Sequence, residues 1–328
     1  VTMPTEQVPT QVLPKKPLIS FIVTTYNTPV EMLADCLDSI TCLSLSKSDR
    51  EIIIVDDGSD PPAITVLTDI QDDIIYIRQP NKGPSEARNM GIKAATGTYI
   101  QFIDGDDMLL RGAYEHCIDI VRYQSPDMVV FNFTNSSVSE TPFSFDGPMT
   151  GTSYMHNNNL RGSVWTYVFR RNILGDLRFT SGQNYCEDEE FTARLVLRAE
   201  KLITTDAHAY YYRQHSESLT GSRAPRKVMT RLTNHFDTIC RLHYIGERLP
   251  EAAKMAMRRR VAQLSMDYLY NTARLTHSID KLNEATGKLR ELGLFPLPDK
   301  HYTAKYSLFR RLVNYKAGRY LLLLMTAK

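Results

Sequence analysis

Apolar runs that break off into polar or acidic residues recur through the first third of this sequence, and they constrain its fold more than any other feature. Leu18-Ile-Ser-Phe-Ile-Val23 stops at Thr24-Thr-Tyr-Asn27, and Glu51-Ile-Ile-Ile-Val55 stops at Asp56-Asp-Gly-Ser-Asp60. Thr98-Tyr-Ile-Gln-Phe-Ile103 stops at Asp104-Gly-Asp-Asp107. Runs this apolar suit strands buried on both faces. Between them the pattern predicts a helix over Val30–Ile40 opened by Pro29, a short strand over Ile74–Arg78, and a helix over Ser85–Ala95 opened by Pro84. Strand, polar turn, helix and strand in repetition give an α/β domain with a mostly parallel central sheet flanked by helices. Each polar run then falls on the carboxyl edge of the sheet, where open α/β sheets bind ligands.

The last of these runs is chemically the richest. Asp104, Asp106 and Asp107 crowd three carboxylates around one glycine, Gly105. Like charges at this spacing repel, so the cluster either waits for a counter-ion or forms an acidic turn open to water. Hard oxygen ligands would suit Mg²⁺ or Mn²⁺ holding a diphosphate.

Beyond residue 107 the pattern predicts a helix at Gly112–Tyr123 and a strand at Asp127–Phe133. Residues 134–162, rich in Ser, Thr, Asn, Gly and Pro, read as a loop or hairpin excursion. Val164–Leu174 holds the only tryptophan, Trp165, and suits the wall of a pocket or core. Glu187–Arg198 has helical spacing of apolar positions, and Leu202–Arg213 returns to strand character. From Arg226 onward the sequence is mostly helical.

Charge divides unevenly. Residues 221–328 hold 21 Lys and Arg against 8 Asp and Glu, which leaves 18 against 29 in residues 1–220. An acidic body thus carries a basic region. No interleaving of aromatic and basic residues marks that region as a nucleic-acid module, so no nucleic-acid partner is expected. Tyr306–Met325 mixes leucines with Arg310, Arg311, Lys316 and Arg319. It could lie in a membrane interface as a basic amphipathic helix, or pack on the body with its basic residues in water. Its apolar segments are too interrupted to span a bilayer. Five widely spaced cysteines without a Cys-x-x-Cys pair argue against a disulfide framework or zinc site and fit a reducing cytoplasm. Residues 1–16, with three prolines and little apolar content, read as a flexible leader.

Sugar transfer from a nucleoside diphosphate requires recognition of a base, relief of charge on a leaving diphosphate and deprotonation of a nucleophile. Candidates for each are present, and each has a plainer alternative. Asp56-Asp-Gly-Ser59 could accept from a uracil N3–H or be a simple turn. Lys82 and Arg88 bracket a helix start suited to phosphate, although Arg88 could equally pair with Glu86 or an aspartate. Glu187-Asp188 opens a helix, where carboxylates are favourable for the dipole alone. His215 follows the aromatic run Tyr210-Tyr-Tyr212 and could be a ligand or a surface residue.

Taken in order, six segments resemble one known family. They are Ile19-Ser-Phe-Ile-Val-Thr-Thr-Tyr-Asn27, Val55-Asp-Asp-Gly-Ser59, Asn81-Lys-Gly-Pro-Ser-Glu-Ala-Arg-Asn-Met-Gly91, Phe102-Ile-Asp-Gly-Asp-Asp107, Cys186-Glu-Asp-Glu-Glu-Phe191 and Tyr212-Arg-Gln-His215. The family is the GT-A fold glycosyltransferases of family 2, in the form found in bacterial surface-polysaccharide synthesis. The resemblance covers about residues 17–220 and implies a catalytic domain there, followed by a basic helical region over 221–328. It implies that Thr24, Tyr26, Asn27 and Asp57 line the nucleoside pocket, with Lys82 and Arg88 nearby. Asp104-Gly105-Asp106 would be the D-x-D motif, with Asp104 near the ribose or metal and Asp106 on Mn²⁺ or Mg²⁺. Asp188 would be the catalytic base, Glu187 a sugar contact and His215 a metal or diphosphate contact. The implied activity is inverting transfer from a UDP-sugar to a glycan or lipid-linked acceptor. It would be carried out in the cytoplasm or at the inner face of the cell membrane.

Rival classes fit less well. A haloacid-dehalogenase-type phosphohydrolase needs Asp-x-Asp at the first strand, which here ends in Thr24-Thr25. A calcium loop counted from Asp104 reaches Glu115 at its twelfth position, but Met108 and Leu110 break the oxygen series. A non-catalytic nucleotide-sugar-binding or membrane-associated scaffold remains the alternative, and the filled acidic positions speak against it.

Overall fold

Buried on both faces, β1 (Ile19–Thr25) takes a parallel neighbour on each side, β2 (Arg50–Asp56) and β4 (Tyr99–Asp104). The computed structural model describes residues 16–67, 72–136, 142–214 and 224–326. β3 (Ile74–Arg78) extends the parallel array beyond β2. The chain therefore builds outward from β1 in one direction and then returns to add β4 on the other side. That reversal opens a crevice at the carboxyl ends of β1 and β4. The register places Thr24 opposite both Val55 and Asp104, and Thr25 opposite Asp56. The three polar strand ends are thus side by side.

Past β4 the sheet becomes mixed. β8 (Tyr167–Arg170) runs antiparallel between β4 and β6 (Met128–Thr134), and β6 pairs in parallel with β9 (Leu202–Tyr211). The two-residue β5 (Met108–Leu109) and the edge strand β7 (Phe145–Met149) both pair antiparallel with β9. β7 and α4 (Gly151–Asn157) occupy the stretch expected to be a loop or hairpin. Most of Phe145-Asp-Gly-Pro-Met149 is exposed, so no alternation betrays the strand.

Side-chain alternation along β1 divides the interior. Ile19, Phe21 and Val23 join the apolar cluster under α1 (Val30–Thr41) and α3 (Arg111–Gln124). Ile22 joins the opposite cluster, under α2 (Pro84–Ala94) and α5 (Glu187–Val196). This second cluster continues without a break into α6 (Pro225–Gly246), α7 (Glu251–Thr276) and α8 (Ile279–Glu291). α7 is the pillar of the helical region and touches α4, α6, α8, α9 (Ala304–Val313) and α10 (Lys316–Thr326). Leu264 and Leu269 on α7 are fully enclosed, and truncating either to alanine would cost about 2–5 kcal/mol. That is a large share of a typical folding free energy. Among the described residues no helix is long and apolar enough to cross a membrane.

Candidate active site

Gly105 explains how the acidic turn closes on the end of β1. Its N–H donates to Thr24 O at 2.9 Å, and a Cβ there would lie 3.1 Å from that oxygen and 3.2 Å from Thr25 Cβ. Glycine thus gives the turn an approach that a larger residue could make only by pushing β1 aside. Asp104 and Asp106, both half-buried, flank it at the crevice.

Asp107 turns away from its neighbours. Its carboxylate accepts from Tyr210 Oη at 2.8 Å and from the Arg213 N–H at 2.8 Å. Burial, and then Asp104 and Asp106, push its carboxyl up to about 8. Tyr210 Oη also accepts from the Asp104 N–H at 3.1 Å, so one phenol ties both ends of the turn to β9. Stacking on Trp165 at 4.3 Å holds that phenol in place. Trp165 is therefore core, and its role is to anchor the acidic turn from beneath.

The loop after β2 is held by its own acids. Asp56, fully enclosed, accepts from the N–H groups of Ser59 and Ala63 and from Tyr76 Oη. Asp57 accepts from Gln79 Nε2 at 2.7 Å and from the N–H groups of Lys82 and Gly83 at 2.9 and 2.8 Å. It thereby fixes the start of α2. Asn27 likewise braces the loop, accepting from the Asp60 N–H at 2.9 Å. Tyr26 and Lys82 present exposed side chains at the crevice mouth. Thr24 Oγ1 lies 3.4 Å from Asp104 Oδ1.

Arg88, one turn into α2 and 5% exposed, is the hub. Its Nη1 lies 2.9 Å from Glu187 Oε1 and 2.8 Å from Asp188 Oδ1, and its Nη2 lies 3.1 Å from Asp104 Oδ1. Burial alone would lower the guanidinium pKa, but Asp188, Asp104 and Glu187 outweigh it and raise it. Of the alternatives left open by the sequence, pairing with aspartate is what the geometry shows. Burial pushes Asp188 up to about 8, with Arg88 opposing and Glu187 and Asp104 adding to the shift. Asp104 is raised by burial and by Asp106, against the pull of Arg88.

α5 reaches this hub through Cys186, whose φ of 61° is left-handed for a residue with a side chain. Such a conformation costs about 1–2 kcal/mol and persists only where its surroundings enforce it. The enforcement comes from the helical region. Arg241 on α6 lies 2.6 Å from Glu190, and Arg260 on α7 pairs with Glu189 and donates to Leu160 O at 2.7 Å. Gln183 bridges to Thr238 on α6 at 2.6 Å. Sequence reasoning missed Arg241, Arg260, Gln183 and Tyr210, because no local pattern marks a pair 51 or 71 residues apart. Of the residues expected at the site, Thr24, Arg88, Asp104, Glu187 and Asp188 meet through direct polar contacts, with Gly105 and Asp106 in the same turn. Tyr26 and Asn27 follow β1 and Asp57 follows β2, with Lys82 just before α2. His215 lies outside the described residues.

A parallel sheet half with a switch point between β1 and β4, an acidic turn at that point and an appended helical layer together make the GT-A fold with a helical extension. Residues 20–178, a little under half of the chain, match the family model described as glycosyl transferase family 2. EpsJ of Bacillus subtilis, described as an uncharacterized glycosyltransferase, is 31% identical over 220 residues. That match takes in 62% of this chain and 63% of EpsJ, so the chain spans a little under two thirds of that relative. The crystal structure of S. aureus TarS 1–349 in complex with UDP-GlcNAc has a TM-score of 0.67 at 17% identity, over 92% of this chain and 88% of that one. A mannosyltransferase from Pyrobaculum calidifontis, in complex with GDP-Man and Mn²⁺, has a TM-score of 0.57 at 15% identity, over 98% and 90%.

Proposed function

We propose that this chain transfers a sugar from a nucleoside diphosphate sugar, a UDP-sugar foremost, to a hydroxyl of a glycan or lipid-linked acceptor in surface-polysaccharide assembly. The observation that carries this reading is the meeting of Asp104, Glu187 and Asp188 on Arg88, at the crevice where the strand ends converge. The similarity to glycosyltransferases and to a nucleotide-sugar complex supports the same reading.

Thr24, Tyr26, Asn27, Asp57 and Lys82 would take the nucleoside and its phosphates, with Glu187 beside a sugar. Asp104 and Asp106 are hard oxygen donors; burial, and then Asp106, raise Asp104 against the pull of Arg88, and carboxylates crowded in this way suit a dication. Among the described residues no group of three His, Cys, Asp or Glu is arranged to hold a metal. The fit is therefore to Mg²⁺ or Mn²⁺ shared between one or two carboxylates and the donor phosphates, the way Mg²⁺ is commonly held. Such an ion would offset charge on the departing nucleoside diphosphate.

Asp188 then takes the proton of the acceptor hydroxyl. The hydroxyl oxygen attacks the anomeric carbon from the face opposite the leaving group, and the glycosidic bond pair departs with the nucleoside diphosphate. One displacement inverts the anomeric centre, giving a β-linkage from an α-linked donor.

The test is nucleotide release from UDP-, GDP- and dTDP-sugars with Mn²⁺ or Mg²⁺, followed by NMR of the product anomer. A retained configuration would sink the single displacement. Nucleotide binding without release from any donor, across an acceptor panel, would favour the scaffold reading.

A further inference from the structure

α10 is built inside out. Its arginine, Arg319, is 6% exposed and donates to Val313 O at 2.9 Å and Asn283 Oδ1 at 2.7 Å. Leu322 is buried beside it, but four other apolar residues point the other way: Tyr320, Leu321, Leu324 and Met325 are 59%, 48%, 73% and 57% exposed. These positions recur at i, i+1, i+4 and i+5, so they form one stripe along one side of the helix. Exposed single leucines are ordinary, but a contiguous stripe of this kind marks a surface that something covers.

The charges around the stripe say what covers it. From Tyr302 to Lys328 the sequence has six Lys and Arg and no Asp or Glu. Arg319 is spent inside and Arg310 is paired with Asp299 at 2.5 Å. Arg311 and Lys316 remain exposed, with no ion pair among the described residues. Leu308 and Tyr315 on and after α9 are also exposed, at i and i+7 about Arg311. Apolar and tyrosine side chains beside unpaired cations match an anionic bilayer surface, where acyl chains take the stripe and headgroups take the cations. A second copy of the chain would bring like charges together on pairing face to face, so it fits less well.

We propose that the α9–α10 face docks on anionic lipid, laying α10 in the headgroup layer through Tyr320, Leu321, Leu324 and Met325, with Arg311 and Lys316 at its rim. The proposal is independent of the transfer reaction, since none of these residues belongs to the crevice.

Co-sedimentation of the full chain with vesicles of phosphatidylcholine alone and of phosphatidylcholine with phosphatidylglycerol tests it. Binding is expected only to the anionic vesicles, and it should weaken as salt rises. Leu321→Glu with Leu324→Glu, and separately Arg311→Glu with Lys316→Glu, should each lower vesicle affinity at least about tenfold. The altered side chains are exposed, so circular dichroism and nucleotide release should stay as in the parent. Absence of binding to anionic vesicles at low salt, or equal binding by the leucine variant, overturns the proposal. So does light scattering that shows a dimer which the leucine variant dissociates, because a second copy would then own the face.

Discussion

Arg88 Nη1 stands 2.8 Å from Asp188 Oδ1, joining the first turn of α5 to α2 across 100 residues of sequence. The same guanidinium reaches Glu187 and Asp104. One buried cation therefore holds together three carboxylates that would otherwise repel, and the crevice depends on it for its shape.

Replacing Arg88 with methionine keeps the volume and removes the charge. Three carboxylates are then left facing one another with little water, and breaking a buried ion pair on one side costs about 3–5 kcal/mol. Arg88→Lys should fall between, since an ammonium keeps the charge but loses the planar fork. Urea unfolding reads the loss directly, and an unchanged midpoint for the methionine variant would remove Arg88 from its role as hub.

Asp188→Asn leaves size and most polarity in place but cannot take a proton. If Asp188 is the base, turnover should drop by about 10²–10⁴-fold, the usual worth of general acid–base catalysis. Donor binding measured by calorimetry should persist, because Arg88 still has Asp104 and Glu187 as partners. A variant that turns over normally, or that loses donor binding along with turnover, would move the base elsewhere.

The raised carboxyl of Asp188 has a signed consequence for pH. If Asp188 is the base it works only when ionised, so kcat/KM should rise with pH through a limb near 8. For stability the sign is opposite. A carboxyl raised in the fold contributes stability present below its unfolded value, and that contribution is lost as pH rises through about 8. Between pH 5 and pH 9 Asp188→Asn should therefore gain stability relative to the parent, by at least about 1 kcal/mol. Thermal melts of both forms at pH 5 and pH 9 decide it, since equal pH dependence would mean Asp188 is not held protonated.

How much of this was legible beforehand follows from the range of each interaction. The strand ends, the start of α2 and the start of α5 are local patterns, so apolar period and turn residues display them. Arg88 was visible as a residue that could pair with an aspartate, though not which ones, nor that Glu187 would join them. Tyr210 holding Asp107, and Arg241 and Arg260 holding α5, are contacts between distant segments that leave no period in the sequence. β7 lacks alternation because it is an exposed edge. α10 misleads in a different way: its composition suggests arginines in water and leucines inside, and Arg319 with Leu324 does the reverse.

Asp106→Ala should separate the metal from the fold. If Asp104 and Asp106 share a divalent ion with the donor, donor affinity in Mn²⁺ should fall toward the value measured in EDTA, while affinity in EDTA stays as in the parent. Calorimetric titrations with and without metal provide the comparison. The same metal dependence in variant and parent would show that Asp106 is not a ligand.

Gly162 shows how tightly the helical region and the first turn of α5 are joined. A Cβ at Gly162 would fall 2.1 Å from Glu189 Oε2, so Gly162→Ala forces Glu189 to swing away from Arg260 on α7. Glutamate is flexible, so the steric cost is small and the lost interaction dominates, about 1.5–3 kcal/mol for a hydrogen bond to a charged group. Arg260→Met removes the same pair from the other side and also releases Leu160 O. Either change should loosen the first turn of α5, next to Asp188, and lower kcat several-fold while donor KM changes little. Because both break one interaction, the double variant should lose far less than the sum of the two. Additive losses in kcat would mean that Arg260 and Gly162 act through separate contacts, and that Glu189 does not carry support from α7 to the base.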